Sequence, residues 1–260
     1  MSWSEFPWFA APAALLWLAA GCAALKRPGS RWVDVCMLSG VVVFGAFIIA
    51  LWAGLGRPPL RTMGETRLWY AFFLPLLGYL TYKRWGYAWL PLVTGLIACV
   101  FAGVNLARPE IHSAALMPAL QSWLFVPHVV VYILSYAMLG VATIAAGAQL
   151  FAMRKGREDT ALYGVIDNIV YAGFGFLMLG MLTGAFWAKE AWGHYWSWDP
   201  KETWAFITAA AYLAYIHIRL RGRFAKAALW LLPAAFVLLM ITWIGVSYLP
   251  AAQNSVHVYS

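Results

Sequence analysis

Long apolar runs separated by short polar ones dominate the chain, with hydrophobic windows at 7–25, 33–55, 68–82, 86–105, 124–153, 165–187, 203–220 and 227–249. A hydrocarbon layer about 30 Å thick takes roughly 20 apolar residues at the helical rise. With no water there to satisfy amides, only a helix or a closed barrel can cross it. The pattern therefore predicts an all-α protein, a polytopic transmembrane helical bundle of about eight spans, the third window being short and the fifth long. The longest stretch between windows, 106–123, is 18 residues. Residues 1–260 are accordingly read as a single integral membrane domain without internal repeat, linker or separate soluble domain.

Composition agrees with this reading. The chain is 63% hydrophobic and 11% charged, against about 25% charged in soluble proteins. The start, "MSWSEFPW", carries Glu5 and no basic residue, while Lys26, Arg27 and Arg31 follow the first window. That order favours an uncleaved first span with the N-terminus outside. Alternating the loops then puts Lys26, Arg27, Arg31, Lys83, Arg84, Arg154, Lys155, Arg157, Arg219, Arg221, Arg223 and Lys226 inside. Arg57, Arg61, Arg67, Arg108, Lys189 and Lys201 fall outside. The positive-inside rule supports this orientation and, with eight spans, a C-terminus on the outer face. The formal charge of +8 thus reads as a topology signal. No basic stripe interleaved with stacking aromatics points to nucleic acid.

Acids are almost absent from mid-span positions. Asp34 and Asp167 fall at inner ends, where they can reach water, which argues against an ion-coupled transporter with acids at mid-depth. Cys22, Cys36 and Cys99 lie inside spans without a C-x-x-C pair. They indicate neither a disulfide framework nor a thiol redox centre, and there is no C-x-x-C-H of a c-type cytochrome.

The unusual polar chemistry gathers in residues 187–204, around "WGHYWSWDPKETW" at 192–204. Asp199 as N-cap, Pro200 at the first helical position and Glu202 three residues after the cap form a helix start. Trp187, Trp192, Trp196, Trp198 and Trp204 suit an aromatic belt at a membrane interface. Their density also suits a binding surface for a flat apolar ligand. Trp192 and Trp196, four apart with Tyr195 beside them, are expected on one face of a short interfacial helix. Of the five histidines, His128 stands one turn inside the fifth window, His257 in the outer tail, His194 in the tryptophan stretch and His112 in the loop before window five. His217 is near the inner end of the seventh. Histidine is the commonest side-chain ligand of transition metals and haem iron. Interfacial hydrogen bonding, or helix-end capping at His217, is the structural alternative for each.

The tryptophan stretch resembles the W-G-x-x-W-x-W-D-x-x-E-T signature of the haem-handling proteins of cytochrome c biogenesis. It is most similar to the CcsA/ResC branch of system II, with D-P-K-E-T followed by a span ending in H-x-R, here "HIR" at 217–219. "GRPPLRTMGETRLWYAFFL" with Glu65 resembles that branch's first outer loop, and the resemblance covers roughly residues 56–260. It implies a haem-binding and haem-translocating subunit of a membrane cytochrome c synthase, a component of a cytochrome c haem lyase complex. Such a subunit presents haem on the outer face for thioether attachment to the CxxCH of apocytochrome c.

By the same resemblance His128 and His257 are the external axial ligands and His217 the intramembrane ligand. Trp192, Tyr195, Trp196, Trp198, Asp199, Lys201 and Glu202 line the haem, which is b-type, non-covalent and transiently bound. A CcsB/ResB-like membrane subunit is the implied partner, and the bacterial cytoplasmic (inner) membrane the location, with the motif on the periplasmic side. The tail "NSVHVYS" departs from the family's glycine-leucine-histidine-serine run. The alternative is a CcmC-type haem exporter that hands haem to a separate chaperone without attachment chemistry.

Overall fold

The computed structural model of the chain describes residues 1–109, 118–222 and 225–250. Among them are eight α-helices: α1 (Phe6–Lys26), α2 (Arg31–Leu55), α3 (Met63–Trp85), α4 (Leu90–Ala107), α5 (Phe125–Arg154), α6 (Thr160–Trp192), α7 (Pro200–Leu220) and α8 (Ala225–Trp243). Each apolar window of the sequence falls on one of them, so the protein is an all-α polytopic helical protein. Six helices have the length and apolarity of a membrane span; α3 and α7 fall short, because both carry polar ends. Helix α3 begins on Glu65 and Arg67 and ends on Lys83 and Arg84, whereas α7 begins on Lys201 and Glu202 and ends on His217 and Arg219.

The chain forms two compact units, Met1–Ala115 and Leu116–Ser260. In the first, α1 packs on α2 and α4, and α3 packs on the same two helices. Its core is aromatic: Trp17 and Phe44 meet at 5.1 Å, and Phe6 and Phe47 at 4.9 Å. Asp34 reaches water as expected, its side chain 32% exposed, and also accepts from Tyr79 Oη at 2.9 Å and from Lys83 Nζ at 3.0 Å, which ties α2 to α3.

The second unit has the same neighbour order, α5 on α6 and α8, and α7 on α6 and α8. Small residues let these helices approach, since lipid-facing bundles associate by close packing and interhelical hydrogen bonds rather than by the hydrophobic effect. Ser135 Oγ donates to Gly173 O across α5 and α6 at 2.7 Å. The Thr208 and Thr242 hydroxyls meet between α7 and α8 at 2.9 Å. Asp167 is also paired: Arg219 clamps it in a fork, Nη2 to Oδ2 at 2.7 Å and Nε to Oδ1 at 2.9 Å, while Tyr215 Oη donates to Oδ1 at 2.7 Å.

Candidate functional site

The tryptophan stretch joins α6 to α7. Helix α6 stops at Trp192 because Gly193 takes φ +86°, a left-handed conformation that glycine adopts without a Cβ penalty. The expected interfacial helix over Trp192 and Trp196 does not form, since residues 194–199 are irregular. Lys189 Nζ donates to Gly193 O at 2.7 Å and lies 5.5 Å from the Tyr195 ring centre.

Helix α7 starts as its sequence predicts. Asp199 Oδ1 accepts from Lys201 N at 2.9 Å, and Glu202 Oε2 accepts from Asp199 N at 3.1 Å. Glu202 also reaches further back, taking Ser197 N at 2.7 Å and Ser197 Oγ at 3.2 Å. Both acids are buried, with 8% exposure each. Between the Ser197 and Asp199 donors lies Trp198, the one described non-glycine residue with positive φ, +58°. That conformation costs a residue with a Cβ about 1–2 kcal/mol. Thr203 Oγ1, donating to Trp198 O at 3.1 Å, and the Glu202 carboxylate hold it in place. The result is an indole that is 63% exposed, edge-on to Trp196 at 5.8 Å and to Phe206 at 5.7 Å. Tyr195, 53% exposed, meets Phe186 edge-on at 6.1 Å.

A second aromatic group is more enclosed. His128, in the first turn of α5, stacks on Trp187 of α6 with ring centres 5.5 Å apart and planes at 22°. Tyr132 lies edge-on to the imidazole at 4.8 Å, and Phe125 lies at 6.4 Å. Trp187 in turn meets Trp192 at 4.7 Å, and its Nε1 donates to Ala119 O at 2.9 Å. Leu120, Phe125 and Trp187 form the buried base of this group. His128 Nδ1 is 2.9 Å from Gly180 O. A carbonyl only accepts, so Nδ1 carries the proton of the neutral ring and Nε2 the lone pair. Metal-binding histidines use this arrangement, with the second ring nitrogen donating to a backbone oxygen that fixes tautomer and orientation.

The two groups divide the expected site residues. Trp192 belongs with His128 and Trp187, whereas Tyr195, Trp196 and Trp198 belong to the exposed loop. Lys201 is half-buried in the first turn of α7, ahead of the apolar run. Desolvation pushes its ammonium down to about 8, with Asp199 acting in the opposite direction. His194 is exposed in the loop. His217 is exposed near the far end of α7, 18 residues beyond Asp199 and so roughly 27 Å along the helix. His112 and His257 lie outside the described residues. Among the described residues no group of three or more His, Cys, Asp or Glu side chains could hold a metal ion, so His128 enters a ligand set as a single imidazole. Tyr132, Gly180 and Gly184 around His128, and Thr203 under Trp198, were not singled out by sequence. The available signal was spacing: Gly180, Gly184 and Trp187 share one face of α6, and Tyr132 stands one turn after His128.

Residues 61–252 match the family described as Cytochrome C assembly protein. The chain belongs to that family. Its relatives include the cytochrome c biogenesis protein CcsA of Synechococcus sp. (strain RCC307), 30% identical over 87% of this chain and 85% of the relative. The CcsA of Atropa belladonna is 32% identical over 80% of each chain. Among solved structures the cytochrome c haem lyase CcmF shares the fold, with a TM-score of 0.71 at 21% identity, over 94% of this chain. This member of the family spans about half of that structure's length, 47%.

Proposed function

We propose that this cytochrome c assembly protein is the haem-handling subunit of a cytochrome c synthase. It holds haem at the outer end of α5 to α7 and presents it for attachment to apocytochrome c. The observation that carries the reading is the His128 imidazole, stacked on Trp187 with its Nδ1 proton committed to Gly180 O, which turns Nε2 into a ligand nitrogen. The residues fit the substrate. A flat macrocycle suits the exposed rings of Tyr195 and Trp198 and the half-buried indoles of Trp192 and Trp196. Lys201 suits a propionate, and Asp199 and Glu202 hold the loop that carries the rings.

In this reading His257 provides the second external ligand and His217 a separate intramembrane one. The haem is b-type and non-covalently held before transfer. All eight helices cross the membrane as one integral membrane domain, with both termini and the tryptophan loop on the periplasmic side of a bacterial cytoplasmic membrane. A CcsB/ResB-like subunit completes the complex.

Attachment itself adds each cysteine S–H of the CxxCH across a vinyl C=C, forming the C–S bond and placing the hydrogen on the other vinyl carbon, with no oxidant consumed. This chain's contribution is positioning and control of the iron's ligands, which converts an encounter into a near-attack arrangement. The deciding test is the oxidised and reduced absorption spectrum of the detergent-purified protein beside the His128→Ala/His257→Ala variant. A low-spin, two-histidine spectrum lost in the variant is expected; full haem retention would overturn the reading. Co-expression with the partner and a reporter apocytochrome, in a host without its own machinery, should yield covalent haem. Haem delivery without attachment would leave the reporter unmodified.

A further inference from the structure

Resting on the reading of His128 as an iron ligand, we infer that Gly184 is the positioning residue of that site. By contributing no Cβ, it gives the His128 ring the seat from which Nδ1 reaches the Gly180 carbonyl.

A Cβ at Gly184 would stand 2.6 Å from His128 Cε1 and 2.7 Å from Nδ1, but 3.5 Å from Nε2. The Cε1–Nδ1 edge therefore lies over the glycine, and Nε2 is the more distant nitrogen. Two aromatic rings pack against the imidazole. Trp187 covers one face at 5.5 Å, and its own indole is anchored by the Nε1 bond to Ala119 O. Tyr132 blocks an edge at 4.8 Å and is itself pressed onto Gly180, where a Cβ would come within 2.8 Å of Tyr132 Cδ1. Helix α6 would be better served by alanine at position 184, since glycine is among the poorest helix formers. The close neighbour of Gly184 is the His128 ring of α5, as Tyr132 is of Gly180, so the glycine lies on the α6 face that packs against α5.

An alanine at 184 must turn the imidazole away and break the Nδ1–H bond to Gly180 O. The proton is then free to sit on either nitrogen, and the ring loses its aim. Loss of such an outer partner weakens metal ligation by about 10- to 100-fold.

The test is a cycle on the full-length protein in detergent: wild type, Gly184→Ala, His128→Ala and the double variant. Haem-free protein labelled with 15N-histidine reports the tautomer of His128, assigned by the signal that vanishes in His128→Ala. Wild type should show a neutral ring protonated at Nδ1, and Gly184→Ala should move that signal toward mixed tautomers. Melting temperature should fall on Gly184→Ala when His128 is present and not when it is absent. If Gly184→Ala does not accumulate, recovery of folding in the double variant is the same result. An unmoved tautomer, or an equal loss of melting temperature in both backgrounds, overturns the inference whatever haem does.

Haem titration then separates the two levels. Affinity should drop by about 10- to 100-fold in Gly184→Ala. Added imidazole should restore the low-spin spectrum to His128→Gly but not to His128→Gly/Gly184→Ala. Haem binding indifferent to every one of these variants, alongside the expected tautomer change, would overturn the ligand reading and leave the seat intact.

Discussion

Helices α3 and α7 begin with the same device put to different ends. In both, a polar N-cap, Thr62 or Asp199, is answered three residues later by a buried glutamate, Glu65 or Glu202, reaching back to the cap's N–H. Glu65 is gripped by charge: Arg57 forks it, Nη2 to Oε1 at 2.8 Å and Nη1 to Oε2 at 2.9 Å, while Arg61 N and Thr62 N donate to Oε2. Glu202 receives neutral donors, from Ser197 and Asp199, and what it encloses is a strained tryptophan turned to the outside. One box closes a loop down, and the other holds a loop open as a display. A capping box is therefore a structural motif whose functional content is decided by what lies inside the span of chain it fastens.

The largest effect that tests this contrast is neutralisation of each acid. Glu65→Gln strands the Arg57 guanidinium beside a buried amide and should cost about 3 kcal/mol or more. Glu202→Gln keeps an acceptor oxygen for its neutral donors and should cost about 1 kcal/mol. Thermal unfolding in detergent measures both, and equal losses would erase the distinction. A smaller effect reads the strain. Trp198→Gly and Trp198→Ala both delete the indole, but only glycine tolerates the left-handed backbone, so the glycine variant should be the more stable by about 1 kcal/mol. The reverse order would mean that Glu202 and Thr203 impose no such conformation.

The smallest effect is a pH dependence at Lys201. Its value in the folded protein, about 8, lies below the ordinary 10.5. The penalty of burying its charge is thus fully present below about pH 8 and is relieved as pH rises toward the unfolded value, so this group's contribution to stability improves upward through that window. A carboxylate held by the ammonium behaves oppositely. Haem affinity should fall as pH rises through about 8 in the wild type and show no such step in Lys201→Met.

Much of the frame was legible because membrane physics writes it in long apolar runs; each window became a helix, and Asp199–Pro200–Lys201–Glu202 capped α7 as its spacing predicts. The interfacial helix at Trp192–Trp196 was misread because helical spacing says nothing of Gly193, which ends α6 by backbone conformation. The pairing of Asp34 with Lys83 and of Asp167 with Arg219 was not legible, because the partners are 49 and 52 residues away. A long-range pair leaves no local pattern. The seat of His128 was invisible for the same reason, since it is made of an absent side chain on another helix.

The Arg219 fork on Asp167 carries a mechanical consequence. Helix α7 is fastened to α6 near its end by this ion pair, so turning it by even one residue, about 100° of azimuth, would break the fork. The fork thus fixes the azimuth of α7 against α6. It also aims the helix's cargo. His217 stands two residues before Arg219, about 200° around the axis, so the pair that binds Arg219 to α6 turns the imidazole outward, away from α6.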